Sequence, residues 1–99
     1  MKKNNYIICE VASIHEGDKI YLKNLINQSK IYDADGIKFQ PFDVDELVSH
    51  THEDYNFFKQ TSIAAADWDK IINYAYNKKI DVWIDCFTKF SFDLLKRNK

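Results

Sequence analysis

Apolar positions fall into three short runs separated by two amphipathic stretches. Tyr6-Ile7-Ile8-Cys9-Glu10-Val11-Ala12 is nearly unbroken in apolar character, as strands covered on both faces of a parallel sheet are. Gly17-Asp18 then offers a turn and a helix N-cap. Over residues 19–32, Leu22, Leu25 and Ile26 recur at helical spacing with Lys23, Asn24, Asn27 and Gln28 opposite, which predicts an amphipathic helix. Asp35-Gly36 breaks it. Residues 36–42 predict a second strand of period two, with Ile37 and Phe39 on one side and Lys38 and Gln40 on the other. Pro41 has no N–H for a ladder, so the strand ends near it.

Residues 43–62 show no clean period and are expected to be a loop, acidic at first and then carrying His50, His52, Glu53, Asp54, Tyr55, Phe57 and Phe58. From about residue 64 to 78 a second helix is predicted, with Trp68, Ile71, Ile72, Ala75 and Lys79 on one stripe. Residues 81–87 predict a third strand. A third helix follows over residues 91–99, with Ser91 as its N-cap and Leu94 and Leu95 as its apolar side. The order β-α-β-loop-α-β-α predicts an α/β fold of parallel strands joined by helical crossovers. A closed (β/α)8 barrel takes about 250 residues. The chain therefore reads either as a small open α/β sheet or as the first third of a TIM barrel.

Composition narrows the function classes. The chain has 99 residues, with 14 Lys+Arg against 15 Asp+Glu and a formal net charge of −1, which excludes a globally basic nucleic-acid binder. Hydrophobic content of 45% is enough for a core rather than a disordered tail. The apolar run that begins at Tyr6 is interrupted by Glu10 and is too short for a signal peptide or a membrane span. Cys9 and Cys86 lie in strand-like runs without zinc-site spacing and are expected to be two buried thiols in a reducing cytoplasm. Only 2 Gly and 1 Pro are present, so few positions favour close backbone approach to a ligand.

In parallel α/β folds, ligands bind at the carboxyl ends of the strands. Glu10, Lys38, Gln40 and Asp85 all fall late in their strands. A charge in an apolar strand is desolvated unless it is paired or lines a cavity. Glu10 and Lys38 could therefore pair with each other. Alternatively, Lys38 presents a cation to a phosphate or carboxylate, Gln40 bonds a neutral polar group, and Glu10 orients or deprotonates a neighbour. His15-Glu16-Gly17 directly follows the first strand and is a candidate ligand-binding loop. His50 and His52, with His15 as a third ligand, raise a metal-hydrolase alternative, although paired loop histidines are usually solvated. Trp68, Trp83, Tyr74 and Tyr76 are expected to pack in the core and between helices.

Residues 7–18, Ile-Ile-Cys-Glu-Val-Ala-Ser-Ile-His-Glu-Gly-Asp, resemble the opening strand and loop of the sialic acid synthase (N-acetylneuraminate synthase) family, I-I-A/C-E-I-G-x-N-H-x-G-D/S. Ala34-Asp35-Gly36-Ile37-Lys38-Phe39-Gln40 is similar to that family's second strand, A-D-A-V-K-F-Q, in the right order and spacing. Residues 67–84 resemble the next helix and strand more loosely. The resemblance runs over about residues 6–90 but corresponds only to the first third of a family member. Ile14 stands where the family has Asn. Ala12 and Asp33 replace usual glycines, and Lys79-Ile80 lacks the glycine before the third strand. The family's S-T-P-F after that strand is Asp85-Cys86-Phe87-Thr88 here.

The resemblance implies that residues 1–99 are the N-terminal segment of a (β/α)8 barrel, with the C-terminal antifreeze-like domain absent. It implies condensation of phosphoenolpyruvate with N-acetylmannosamine or a related aldose. In that reaction the enol carbon attacks the sugar aldehyde, water attacks C2, and phosphate leaves with C–O cleavage. Carried onto this sequence, Glu10 is the catalytic glutamate, Lys38 the lysine that binds phosphoenolpyruvate, Gln40 a sugar contact, and His15 a substrate-binding residue. A divalent metal, Mn2+ or Mg2+, is implied for the full-length family. Its histidine ligands fall outside the region of resemblance, so no cofactor is expected in this chain. The expected partners are the two substrates and either a second copy or a chain supplying the rest of the barrel, with no nucleic acid or membrane. The expectation is a synthase-like segment that is inactive alone. The alternative is a non-catalytic module that binds a phosphorylated ligand or completes a split barrel.

Overall fold

The computed structural model describes residues 5–98. Its elements are β1 (Ile8–Ala12), α1 (Lys19–Ile31), β2 (Gly36–Phe39), α2 (Val44–Leu47), α3 (Tyr55–Thr61), α4 (Ala65–Asn77), β3 (Asp81–Ile84) and α5 (Lys89–Arg97). The strands form one parallel three-stranded sheet in the order β1-β2-β3. The sheet is open and unclosed, as in a part of a TIM barrel.

The period-two pattern sorts the sheet into two unlike faces. Val11, Ile37 and Phe39 are buried against Leu22 and Ile26 of α1, Trp68, Ile71 and Ala75 of α4, and Leu94 of α5. Cys9, Val82 and Ile84 pack at the margin of this core. The alternate positions Ile8, Glu10, Asp81 and Trp83 are exposed, and Lys38 is half-buried. Burial of the first set supplies the hydrophobic driving force that fixes the register. Slipping one residue would put Lys38 into the core.

Helix α1 begins where Asp18 accepts the backbone N–H groups of Ile20 and Tyr21, both at 3.0 Å. It buries Leu22, Ile26 and Ser29. It ends in a Schellman turn: Ala34 N–H bonds Ser29 O at 2.9 Å and Asp33 N–H bonds Lys30 O at 3.1 Å. Helix α4 ends the same way, with Ile80 N–H on Ala75 O at 3.2 Å and Lys79 N–H on Tyr76 O at 2.9 Å. Asp33 and Lys79 occupy the left-handed position of these turns, at φ of 66° and 62°.

The expected loop over residues 43–62 is corrected: it holds α2 and α3. One is a single turn and the other spans seven residues. Neither is long enough to establish a helical period in sequence. The start of the last helix is also corrected. Thr88 is its N-cap residue, and helix begins at Lys89. Glu46 of α2 accepts the first-turn amides of Lys89 and Phe90 at 3.2 and 3.3 Å, a long-range cap. Ser91 instead sits fully buried inside the helix and donates to Pro41 O at 2.6 Å. The expected helix end at Lys99 lies outside the described residues.

Four side-chain expectations change as well. Trp83 is 46% exposed and belongs to the open sheet face, not the core. Leu95 is exposed while Leu94 is buried, and Lys79 lies outside the buried stripe of α4. Cys9 and Cys86 are free thiols, half-buried rather than buried. Among the described residues, no helix is long and apolar enough to cross a membrane.

Candidate functional site at the strand ends

The register of the sheet builds the site. Glu10 pairs with Lys38 across β1 and β2, and Lys38 pairs with Trp83 across β2 and β3. Matched positions in a parallel ladder project to the same face, here the one the helices leave uncovered. The register between β1 and β2 shifts between Glu10 and Ala12, where Ala12 adopts φ 52°. This irregularity sits beside Glu10, and such bulges commonly re-aim side chains next to functional sites.

Lys38 Nζ lies 3.0 Å from Glu10 Oε2 and 3.4 Å from Asp85 Oδ1. Gln40 Nε2 donates to Asp85 Oδ2 at 3.1 Å. The residues following β2 and β3 thus join the strand residues in one network: Glu10, Lys38, Asp85 and Gln40. Its formal charge is −1. The hydrogen bond from Lys38 to Glu10, opposed by desolvation and aided by the Asp85 charge, raises the Lys38 ammonium above its ordinary pKa. Beside Gln40, a hollow of about 180 Å³ is lined by Ser13, Phe42, Leu47, Phe58 and Phe87 in addition to Gln40 itself. The network presents an ammonium shared by two carboxylates and an amide, groups that can orient hydroxyls, and the aromatic wall supplies an apolar flank.

His15 has different surroundings. It is buried, its ring set edge-on to Trp68 at 5.9 Å between centroids. Its Nδ1 accepts the backbone N–H of Gly17 at 2.8 Å. That bond makes Nε2 the protonated nitrogen of the neutral ring, and Nε2 is buried without a partner, as is Trp68 Nε1. Burial pushes the His15 pKa down.

The histidines do not gather for a metal. His50 pairs with Asp45 at 3.2 Å and stacks on Tyr55 at 4.7 Å. His52 Nδ1 accepts the N–H of Asp54 at 3.0 Å. Among the described residues, no three His, Cys, Asp or Glu side chains converge as metal ligands. Glu10 and Asp85 face a lysine ammonium rather than an open cation position. The described residues therefore offer no divalent-metal site of their own, which overturns the histidine-based hydrolase alternative.

The opposite end of the same face is closed by aromatic groups. The Tyr6 hydroxyl donates to Asp81 and accepts Trp83 Nε1–H at 3.1 Å. The Trp83 indole and the Tyr6 hydroxyl lie over Gly36, where an added Cβ would meet Trp83 Nε1 at 2.9 Å and Tyr6 Oη at 3.0 Å.

Sequence reasoning placed Asp85 at a strand end but gave it no role, and it proves to be the joint of the network. The signal was present: its position matches the carboxyl-end rule that singled out Lys38.

No family model matches the chain. Its sequence is 31% identical over 70 residues to the uncharacterized protein MJ1065 of Methanocaldococcus jannaschii, covering 71% of this chain and 21% of that protein. Its fold matches N-acetylneuraminic acid (sialic acid) synthetase from Leptospira borgpetersenii, solved in complex with citrate. The TM-score is 0.83 at 20% identity, over 99% of this chain and 38% of the synthetase. It also matches spore coat polysaccharide biosynthesis protein spsE from Bacillus subtilis, with a TM-score of 0.69 at 23% identity, over 96% of this chain and 28% of that one. The chain thus spans well under half the length of the proteins it resembles. What it shares with the solved structures is the fold.

Proposed function

We propose that residues 1–99 form the N-terminal segment of a sialic-acid-synthase-like barrel and that Glu10, Lys38 and Gln40 are part of its substrate site. The observation that carries this reading is the Lys38 ammonium on the uncovered sheet face, flanked by Glu10 at 3.0 Å and joined to Gln40 through Asp85. An ammonium fixed at strand ends is suited to a phosphate or carboxylate, because it neutralises charge that grows on a leaving phosphate. Glu10 is placed to orient or deprotonate a neighbouring group, and Gln40 to bond a sugar hydroxyl. His15 contributes by bracing the first strand–helix loop that a substrate would contact.

The backbone supports the same reading. Ala12, Asp33 and Lys79 adopt positive φ, the conformation that glycine takes most easily, at or beside the places where the resembled family carries glycine. The likeness in fold to the Leptospira synthetase supports it further.

The substrates proposed for the whole protein are phosphoenolpyruvate and an N-acetylmannosamine-type sugar. The part of the site in this chain binds and orients; the condensation draws on groups beyond the network described. The test combines phosphoenolpyruvate, N-acetylmannosamine and Mn2+ with the purified chain and follows phosphate release. The expected result is no turnover, together with phosphoenolpyruvate binding that Lys38→Met abolishes. Turnover would contradict the binding-only role, and absence of binding would overturn the site assignment.

A second reading rests on the uncovered face itself. Ile8 and Trp83 are 38% and 46% exposed on it. A module that pairs with further barrel strands would cover both. Co-purification with a strand-supplying partner or a second copy favours this reading, and a stable folded monomer counts against it.

A further inference from the structure

We infer that Asp85 is an internal competitor for this site's donors, because it occupies the Lys38–Gln40 corner as a carboxylate that an anionic substrate must displace. This deepens the function proposed above and rests on it. The carboxylate uses both oxygens: Oδ1 faces Lys38 Nζ at 3.4 Å, and Oδ2 accepts from Gln40 Nε2 at 3.1 Å. A substrate carboxylate or phosphate held by the same ammonium and amide would make these two contacts. Asp85 therefore competes for the donors the substrate needs.

Charge points the same way. With Glu10 at 3.0 Å on its other side, the ammonium is already over-neutralised, and the network carries −1. A multiply charged anion entering such a network meets like charge at close range. Asp85 is partly exposed, with 27% of its side-chain surface accessible, so it has room to swing away from Lys38. Glu10 is a weaker competitor, since it has no contact with Gln40 among the bonds described and lies on the far side of Lys38. Removing the Asp85 charge frees both the ammonium and the amide, whereas removing Glu10 frees the ammonium alone.

The experiment titrates the full chain with phosphoenolpyruvate by calorimetry. It compares wild type, Asp85→Asn, Asp85→Ala, Lys38→Met and the double variant Asp85→Asn/Lys38→Met, each verified as folded by circular dichroism. Both Asp85 variants are expected to bind at least about tenfold more tightly than wild type, and Lys38→Met to abolish binding in either background. Equal or weaker binding by both Asp85 variants, with wild-type binding still lost in Lys38→Met, would overturn the role of Asp85 and leave the site intact. Binding that survives Lys38→Met, or no binding by any variant, would overturn the site itself.

Discussion

Lys38 Nζ and Glu10 Oε2 lie 3.0 Å apart, at the ladder step that sets the two residues opposite each other on β1 and β2. The pair is a consequence of register. The same pairing that buries Ile37 and Phe39 delivers the ammonium and the carboxylate to the other face. Its energetic contribution has a definite pH signature. The neighbouring carboxylates raise the folded pKa of Lys38, so its stabilising contribution is complete below the unfolded value of about 10.4. It is lost as pH rises through the folded value. Urea titrations of wild type and Lys38→Met above that pH check this: the stability gap between them is expected to narrow.

His15 carries the opposite dependence. Burial lowers its folded pKa, so the unfolded chain binds the extra proton first. Stability is complete above about pH 6.5 and falls with acidification until the folded value is passed, by at most about 1.4 kcal/mol per pH unit. His15→Leu is expected to flatten this slope in thermal unfolding followed from neutral to mildly acidic pH. An unchanged slope would assign the acid sensitivity to another group.

The two Schellman turns make a second kind of prediction. Lys79 sits at φ 62° with no Cβ-free residue to relieve it. A residue other than glycine in this region carries about 1 kcal/mol or more of strain. Lys79→Gly is expected to stabilise the chain by about 0.5–1 kcal/mol, less than the full strain because glycine gains freedom in the unfolded state. Denaturant midpoints at constant m-value measure it.

Gly36 is constrained from the opposite direction. A methyl group there meets the Trp83 indole at 2.9 Å. Gly36→Ala is expected to push the exposed Trp83 indole aside and break its bond to Tyr6, at a cost of no more than about 1 kcal/mol because both side chains have room to move. Trp83 emission should shift toward that of a solvated indole, read against a Trp68→Phe background.

Much of this was legible in the sequence. The alternation at residues 36–40 fixed which side of β2 faces the helices, and the Asp18 cap and the Leu22–Ile26 stripe located α1. Strand-end position singled out Glu10, Lys38, Gln40 and Asp85, and the family resemblance gave the first three their expected roles. What escaped has a common physical cause. Helices α2 and α3 are too short to show periodicity, and the cap that Glu46 places on α5 spans more than forty residues of chain. The role of Ser91 could not be read locally, because its partner is the carbonyl of Pro41. The exposure of Trp83 depended on which sheet face the helices cover, not on its apolarity.

The most direct test of the strand-end site is a 1H–15N NMR titration of the full chain with phosphoenolpyruvate. The largest amide shifts are expected at Glu10, Lys38, Gln40 and Asp85, with the Lys38 ammonium moving at the same ligand concentrations. Shifts confined instead to the Tyr6–Asp81–Trp83 end of the sheet, or no shifts at millimolar ligand, would contradict the site assignment.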